Sequence, residues 1–192
     1  MSKLLIAGLG NIGDAYLNTR HNIGFDMIDY LAEKHGAKFT SDRLAERTTI
    51  KIKGKTLVCI KPTTYMNLSG KAVKYWMDKE NIDASRILVL VDELAIPLEK
   101  IKLKASGSDA GHNGLKSIHE WLGTTAYPRF RFGIGNSFPK GMQVDFVLGK
   151  WTKEELPIVK QKIIKSAEII EIFALEGIES AMNKANNLHF TG

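Results

Sequence analysis

Three segments of the sequence carry side chains that are suited to acid–base chemistry. His21 precedes a helical pattern, and Asp92 follows a strongly apolar run. His112 and Asn113 stand where a loop of small residues turns into a helix. A histidine has an unperturbed pKa of about 6.5, so it can remove a proton from water at neutral pH while a carboxylate orients it. If the fold brings these segments together, the residue types predict general acid–base chemistry.

Other catalytic chemistries fit the sequence less well. It contains no Gly-x-Ser-x-Gly elbow and no Walker loop, and its histidines lack the spacing of zinc ligands. The single cysteine, Cys59, lies in an apolar strand pattern that indicates a core position. Residues 8–13 (Gly-Leu-Gly-Asn-Ile-Gly) match a dinucleotide fingerprint, but no strand with an acidic end follows about 20 residues later, which disfavours a nicotinamide or flavin enzyme. Acid–base chemistry without a metal ion remains.

Alternating strand and helix patterns predict the scaffold that positions these residues. We expect strands at residues 4–7, 86–91, 100–104 and 129–134, and a hairpin of residues 48–53 and 56–61. Helical spacing predicts helices at residues 22–35, 67–79, 112–122, 156–175 and 178–185. This order indicates the α/β class, with one domain over residues 1–192 and a central twisted mixed β-sheet flanked by helices.

The expected sheet gathers polar residues at one of its edges. Ligands of open α/β sheets bind beyond the carboxyl ends of the strands, where Asn11 and Asp92 fall. The starts of the helical segments, at residues 20–22, 65–67 and 112–114, would add unpaired N–H groups that suit anions and oxyanions. Each position alone also fits an ordinary helix cap or a structural histidine.

The composition is that of a folded chain with a basic surplus. Its 192 residues are 44% hydrophobic and 25% charged, which excludes disordered and low-complexity classes. Lys and Arg number 27 against 21 Asp and Glu, a net charge of +6 that weakly indicates a polyanionic partner. A lone cysteine, no apolar run of roughly 18–20 residues and no signal peptide together predict a cytoplasmic protein that does not enter a membrane.

Several longer motifs resemble bacterial peptidyl-tRNA hydrolases. After residues 8–13, the matching positions are Tyr16, Thr19, Arg20, His21, Asn22 and Gly24, then residues 62–70, 92–94, 111–118, 131–135 and 146–149. The resemblance covers essentially the whole chain. It implies a mixed α/β domain that works as a monomer without metal. It also implies hydrolysis of the ester joining peptide to tRNA, which recycles tRNA from prematurely released peptidyl-tRNA.

The resemblance also implies roles for individual residues. His21 would be the general base and Asp92 its orienting partner, with Asn11 and Asn113 completing the catalytic set. The expected substrate-binding residues are Tyr16, Met66, Asn67, Gly111, Asn113, Lys104 and Arg131. In that set, Tyr16 and Met66 would form apolar walls, although core packing is an equal interpretation for Met66. Lys104 and Arg131 would clamp phosphate.

Two departures and one alternative qualify this expectation. Ala95 stands where relatives often carry a second aspartate, and Asp109 adds a negative charge near the expected RNA. The alternative is a non-catalytic RNA-binding relative of the same fold. Such a protein would be marked by loss of His21, Asp92 or an asparagine of the cleft, and all of them are present.

Overall fold

A single seven-stranded sheet organises the chain, in the strand order β2-β3-β4-β1-β5-β7-β6. The computed structural model describes residues 2–192, so Met1 of the expected domain lies outside the described residues. The strands are β1 (Ser2–Gly8), β2 (Thr40–Asp42), β3 (Ala45–Ile52), β4 (Lys55–Pro62), β5 (Ile87–Glu93), β6 (Ile101–Lys104) and β7 (Arg129–Gly133). The helices are α1 (Ile23–Lys34), α2 (Ser69–Lys79), α3 (Asn113–Leu122), α4 (Gln143–Val147), α5 (Leu156–Glu176) and α6 (Ile178–Ala185).

The sheet is mixed, as predicted. Strand β1 pairs in parallel with β4 and β5, and β5 pairs in parallel with β7. The β3–β4 hairpin and the β6–β7 pair are antiparallel. Strands β1 and β5 lie inside the sheet with both faces covered, which explains why their sequences are continuous apolar runs rather than alternating ones.

Helices cover both faces of the sheet and form two apolar cores. Alternate residues of β1 point to opposite faces, so Leu4 and Ile6 join one core while Leu5 and Ala7 join the other. The first core is closed by α1, α5 and α6, and the second by α2 and α3. Among the described residues, no helix has the length and apolarity that a membrane crossing requires.

The sequence did not predict two short elements, β2 and α4. All three residues of β2 are exposed and polar, so they show no apolar alternation. Helix α4 has five residues and none is buried, so it shows no apolar stripe. The predicted strands and helices all exist, and their ends differ from the predicted ones by at most three residues.

Close packing at Gly24 fixes the edge of the sheet where polar residues gather. The carboxyl ends of β1 and β5 lie side by side, with Gly8 in register with Leu90. A Cβ atom at Gly24 would lie 2.5 Å from both Leu9 N and Leu90 O, so only glycine lets α1 approach this closely. The start of α1 therefore brings the residues that precede it, including His21, to this edge.

Candidate active site

Two histidines converge on one buried carboxylate at this edge. His21 lies in a short 3₁₀ turn (Arg20–Asn22) before α1, Asp92 lies in β5, and His112 is the N-cap residue of α3. Nδ1 of His21 is 2.9 Å from Asp92 Oδ2, and Nε2 of His112 is 2.9 Å from Asp92 Oδ1. The two imidazole rings are 5.0 Å apart, centroid to centroid. The sequence-predicted pair of His21 and Asp92 is thus in direct contact.

The hydrogen bonds of His112 determine its tautomer. Its Nδ1 accepts from the backbone N–H groups of Gly114 and Leu115, at 3.1 and 3.4 Å. Nδ1 therefore carries no proton, and the proton on Nε2 is donated to Asp92. The cap of α3 therefore selects the tautomer of His112 that carries its proton on Nε2. His21 contacts Asp92 through Nδ1, so its Nε2 is the ring nitrogen left to accept a proton.

The electrostatics of the site favour a charged Asp92. Burial opposes ionisation of this carboxyl, but His21 and His112 outweigh it and hold its pKa well below the usual range. Burial also disfavours the imidazolium of His21, yet the charge and hydrogen bond of Asp92 prevail and raise the pKa of His21 above 6.5. A ring that binds its carboxylate through Nδ1 presents Nε2 as a proton acceptor.

Asn11 is fixed by three hydrogen bonds. The side chain of Asn22 accepts from Asn11 N at 2.8 Å and donates to Asn11 O at 2.9 Å. Oδ1 of Asn11 accepts from Met66 N at 2.7 Å, which leaves its amide group as a donor. Tyr65, just before Met66, adopts a φ of 63°, a conformation rare outside glycine and common at functional sites. Asn22 belongs to the motif around His21, but its residue type alone does not indicate that it would hold Asn11.

A cleft of about 100 Å³ opens beside the two histidines. A water molecule needs about 10–15 Å³ of such free space, so the cleft is large enough for several water molecules. Its lining is formed by His21, Asp92, Glu93, Leu94, Ala110, Gly111, His112, Asn113, Gln143, Val144 and Val147. Four residues expected at the site therefore line the cleft together.

Four other expected residues are not among those that line the cleft. Tyr16 is half-buried in the loop after β1, and Asn67 is exposed just before α2. Asn11 is hydrogen-bonded to Asn22, the neighbour of His21, and to the backbone of Met66. Met66 is buried in the core closed by α2 and α3, so the core interpretation of its side chain holds, while its backbone serves Asn11.

The expected free N–H groups at the helix starts are largely occupied. At α3, the N–H groups of Gly114 and Leu115 donate to His112. At α2, Gly70 N donates to the Ser117 hydroxyl at 2.9 Å. These N–H groups therefore bind side chains of the protein itself, and the helix starts offer less of an anion site than expected.

Arg131 is engaged by other groups of the protein, whereas the resemblance implies a guanidinium that binds phosphate. It is only 7% exposed, and its guanidinium contacts Glu93 Oε1 at 3.1 Å and donates to Ser108 O at 2.9 Å. The neighbouring Arg129 is fully buried and holds Gly107 O at 2.9 Å. These arginines anchor the loop at residues 105–111, while Lys104, at the end of β6, is exposed.

His21, Asp92 and His112 also have the spacing of a metal site, since one potential ligand atom from each lies within 4.8 Å of the others. A metal on Nε2 of His112 would have to replace the proton that this atom carries. The only other place for that proton is Nδ1, which already accepts two backbone N–H groups. The donor set therefore fits a proton network better than a metal ion.

Sequence comparison relates the chain to one family over nearly its full length. The model of the family described as peptidyl-tRNA hydrolase matches residues 5–191. The peptidyl-tRNA hydrolase of Phocaeicola vulgatus is 53% identical over 184 residues, which covers 96% of this chain and 98% of that protein. That of Bacteroides fragilis is 51% identical over 184 residues, with the same coverage.

Structural comparison gives the same result. The crystal structure of peptidyl-tRNA hydrolase from Acinetobacter baumannii superposes with a TM-score of 0.92 at 32% identity. The match covers 97% of this chain and 95% of that chain.

Proposed function

The chain belongs to the peptidyl-tRNA hydrolase family and hydrolyses the ester bond of peptidyl-tRNA, and we propose that His21 is the general base of this reaction and Asp92 its orienting partner. The observation that carries this assignment is the 2.9 Å hydrogen bond between His21 Nδ1 and Asp92 Oδ2. It leaves Nε2 of His21 as the proton acceptor beside a cleft large enough to admit water.

The reaction then proceeds in two steps. Nε2 of His21 takes a proton from water as the water oxygen attacks the ester carbonyl, and Asp92 stabilises the imidazolium that forms. When the tetrahedral intermediate collapses, the carbon–oxygen bond to the ribose breaks. The imidazolium returns its proton to the ribose oxygen. No nucleophilic side chain is needed, because an ester is easier to cleave than an amide.

Asparagine side chains are suited to the remaining tasks. The free amide group of Asn11 and the exposed Asn67 and Asn113 can donate hydrogen bonds to the oxyanion or to peptide carbonyl groups. Tyr16 and Gly111 complete the proposed contacts. Because these groups are uncharged, they favour a peptide amide over the free ammonium of an aminoacyl-tRNA, whose burial without a partner is costly.

The tRNA is held through its phosphates, and Lys104 is the side chain that we assign to this task. Its register partner across the β6–β7 pair is Arg129, so its side chain leaves the sheet on the face that carries the 105–111 loop. Since Arg131 is occupied by Glu93 and Ser108, its contribution is to hold that loop in place. Contacts to phosphate carry no sequence information, as suits an enzyme that accepts any tRNA.

The proposal also covers domain organisation, oligomeric state and location in the cell. We propose that residues 1–192 form one peptidyl-tRNA hydrolase domain, supported by the family match to residues 5–191. We propose that the protein acts as a monomer, as the resemblance of its motifs to the family implies. Since ribosomes make peptidyl-tRNA, we place the activity in the cytoplasm.

Release of the acyl group from N-acetyl-aminoacyl-tRNA tests this function, with the unblocked aminoacyl-tRNA as the matched substrate. We expect the blocked substrate to be cleaved and the unblocked one to be largely spared. His21→Ala should abolish most hydrolysis while tRNA binding persists, because the general base contributes about 10²–10⁴-fold. Binding of tRNA by the wild-type protein without any hydrolysis would instead support the non-catalytic RNA-binding alternative.

A further inference from the structure

We propose that Arg20 is a positioning residue that holds helix α4 over the catalytic cleft. This inference rests on the proposed function, because the cleft is taken to receive the peptide of peptidyl-tRNA. Arg20 belongs to the same 3₁₀ turn as His21, but its side chain points away from the carboxylate and towards the segment at residues 146–155.

Helix α4 forms one wall of the cleft, and of its residues Phe146 and Val147 pack, partly buried, against the core that α1, α5 and α6 close. Gln143, Val144 and Val147 line the cleft. None of the five residues of α4 is buried, and Val144 is 65% exposed. A helix of five residues is far too short to be stable alone. Its position therefore depends on the contacts that its own residues and those just after it make with the body of the protein.

Arg20 supplies such contacts from several of its atoms. Its Nη1 donates to Phe146 O at 3.0 Å, and its guanidinium lies 4.1 Å from the centre of the Phe146 ring. Its Nη2 pairs with Glu155 Oε1 at 2.7 Å, and its backbone N–H donates to Gly149 O at 3.0 Å. Charge-assisted hydrogen bonds in a fixed fork are among the strongest that a side chain makes, and here Arg20 is 7% exposed.

The absence of a side chain at Gly149 leaves room for the Arg20 guanidinium. A Cβ atom at Gly149 would lie 2.9 Å from Nη1 of Arg20 and 3.1 Å from Asp145 O. Any larger residue at this position must push the guanidinium away from Phe146. The contacts of Arg20 with Phe146, Gly149 and Glu155, which we call the tether, can thus be weakened by a substitution at either Arg20 or Gly149.

The tether predicts a selective effect on substrates. Loss of the fork should loosen the cleft wall that contacts the peptide, while the pairing of His21 with Asp92 stays intact. A substrate with one blocked amino acid reaches little beyond the ester, whereas a longer peptide extends along the wall. Arg20 should therefore affect KM for longer peptides, and leave kcat and its pH profile unchanged.

The experiment compares N-acetyl-alanyl-tRNA with N-acetyl-tetraalanyl-tRNA in steady-state kinetics, alongside amide hydrogen exchange. The variants are Arg20→Met, Arg20→Lys and Gly149→Ala. Arg47→Met is the matched control, because Arg47 also pairs with a glutamate (Glu80, 2.9 Å) and stacks on an aromatic ring (Trp76, 5.1 Å). Exchange is followed at the amides of Phe146, Leu148 and Gly149, which bond within the α4 segment.

For Arg20→Met we expect KM to rise about tenfold more for the longer substrate than for the shorter one, as for loss of one hydrogen bond to a charged group. Arg20→Lys and Gly149→Ala should show smaller rises in the same direction. The amides of Phe146, Leu148 and Gly149 should exchange faster in all three variants. Arg47→Met should change neither the KM values nor the exchange at these amides.

Equal changes for both substrates, a shifted pH profile or unchanged exchange in α4 would overturn the assignment of Arg20. Failure of the wild-type protein to hydrolyse either substrate would overturn the proposed function instead. In that case the exchange measurement alone still decides whether Arg20 tethers α4.

Discussion

Oδ1 of Asp92 accepts a hydrogen bond from Nε2 of His112 at 2.9 Å, on the same carboxylate that contacts His21. Because the other ring nitrogen of His112 caps α3, the helix itself fixes which nitrogen carries the proton. The carboxylate is thereby oriented by a helix as well as by its own strand. We infer that His112 acts through Asp92, and that it does not exchange protons with the substrate.

The first prediction concerns this positioning role. His112→Ala removes one of the two N–H donors to a buried carboxylate, so kcat should fall about tenfold, the cost of one hydrogen bond to a charged group. His112→Asn should retain more activity, because asparagine is a good N-cap residue and its amide can donate to Asp92. Steady-state hydrolysis of N-acetyl-aminoacyl-tRNA measures both. Identical rates for the two variants and the wild type would remove His112 from the mechanism.

The second prediction concerns pH. A general base at His21 would be active in its neutral form, and Asp92 raises its pKa, so wild-type kcat should fall on the acid side with a midpoint above pH 6.5. In Asp92→Asn the attraction is lost while burial remains, so the pKa of His21 falls and the midpoint moves to lower pH. The plateau rate should drop by up to about 10⁴-fold, since the tautomer is no longer fixed. A midpoint that stays in place or rises would contradict the pairing.

The sequence predicted elements whose burial follows a regular pattern. The continuous apolar runs of β1 and β5 and the spacing in α1 gave correct elements because these segments pack against the core. No residue of β2 or α4 is fully buried and both are short, so no regular apolar pattern in the sequence distinguishes them from loops. Their positions depend on partners elsewhere in the chain.

The same limit applies to the site. The residue types and motifs indicated His21 and Asp92, which the fold brings into contact across 71 positions of sequence. The tautomer of His112 depends on a cap geometry that residue types alone do not specify. The partners of Arg20 lie 126 and 135 positions away, at Phe146 and Glu155, so nothing near Arg20 in the sequence identified it as a tether.

The third prediction concerns tRNA binding. Lys104→Ala should weaken binding of all tRNAs alike and reduce the slope of log affinity against log salt by about one, as expected for the loss of one phosphate contact. Lys51→Ala is the control, because Lys51 is exposed on β3, towards the opposite edge of the sheet. Filter binding at several salt concentrations measures the slope. An unchanged slope for Lys104→Ala would mean that the RNA is bound elsewhere.

The fourth prediction concerns a buried lysine away from the site. Lys162 in α5 is fully buried, and its Nζ donates to Leu98 O at 2.6 Å and Gly133 O at 2.7 Å. Burial lowers the pKa of Lys162 to about 6, and the attraction of Glu99 opposes this only in part. In the unfolded chain the pKa of a lysine is about 10.4.

Between these two pKa values the unfolded chain binds a proton that the folded chain does not. The free energy of unfolding should therefore rise with pH from about pH 6 to pH 10, by at most about 1.4 kcal/mol per pH unit from this group. Lys162→Met should lack this contribution, so the difference in unfolding free energy between wild type and variant should increase steadily with pH. Lys165→Met, on the same helix but partly exposed, should run parallel to the wild type. Urea denaturation at pH 6, 7 and 8 measures these differences, and a constant difference for Lys162→Met would show that Lys162 stays charged in the fold.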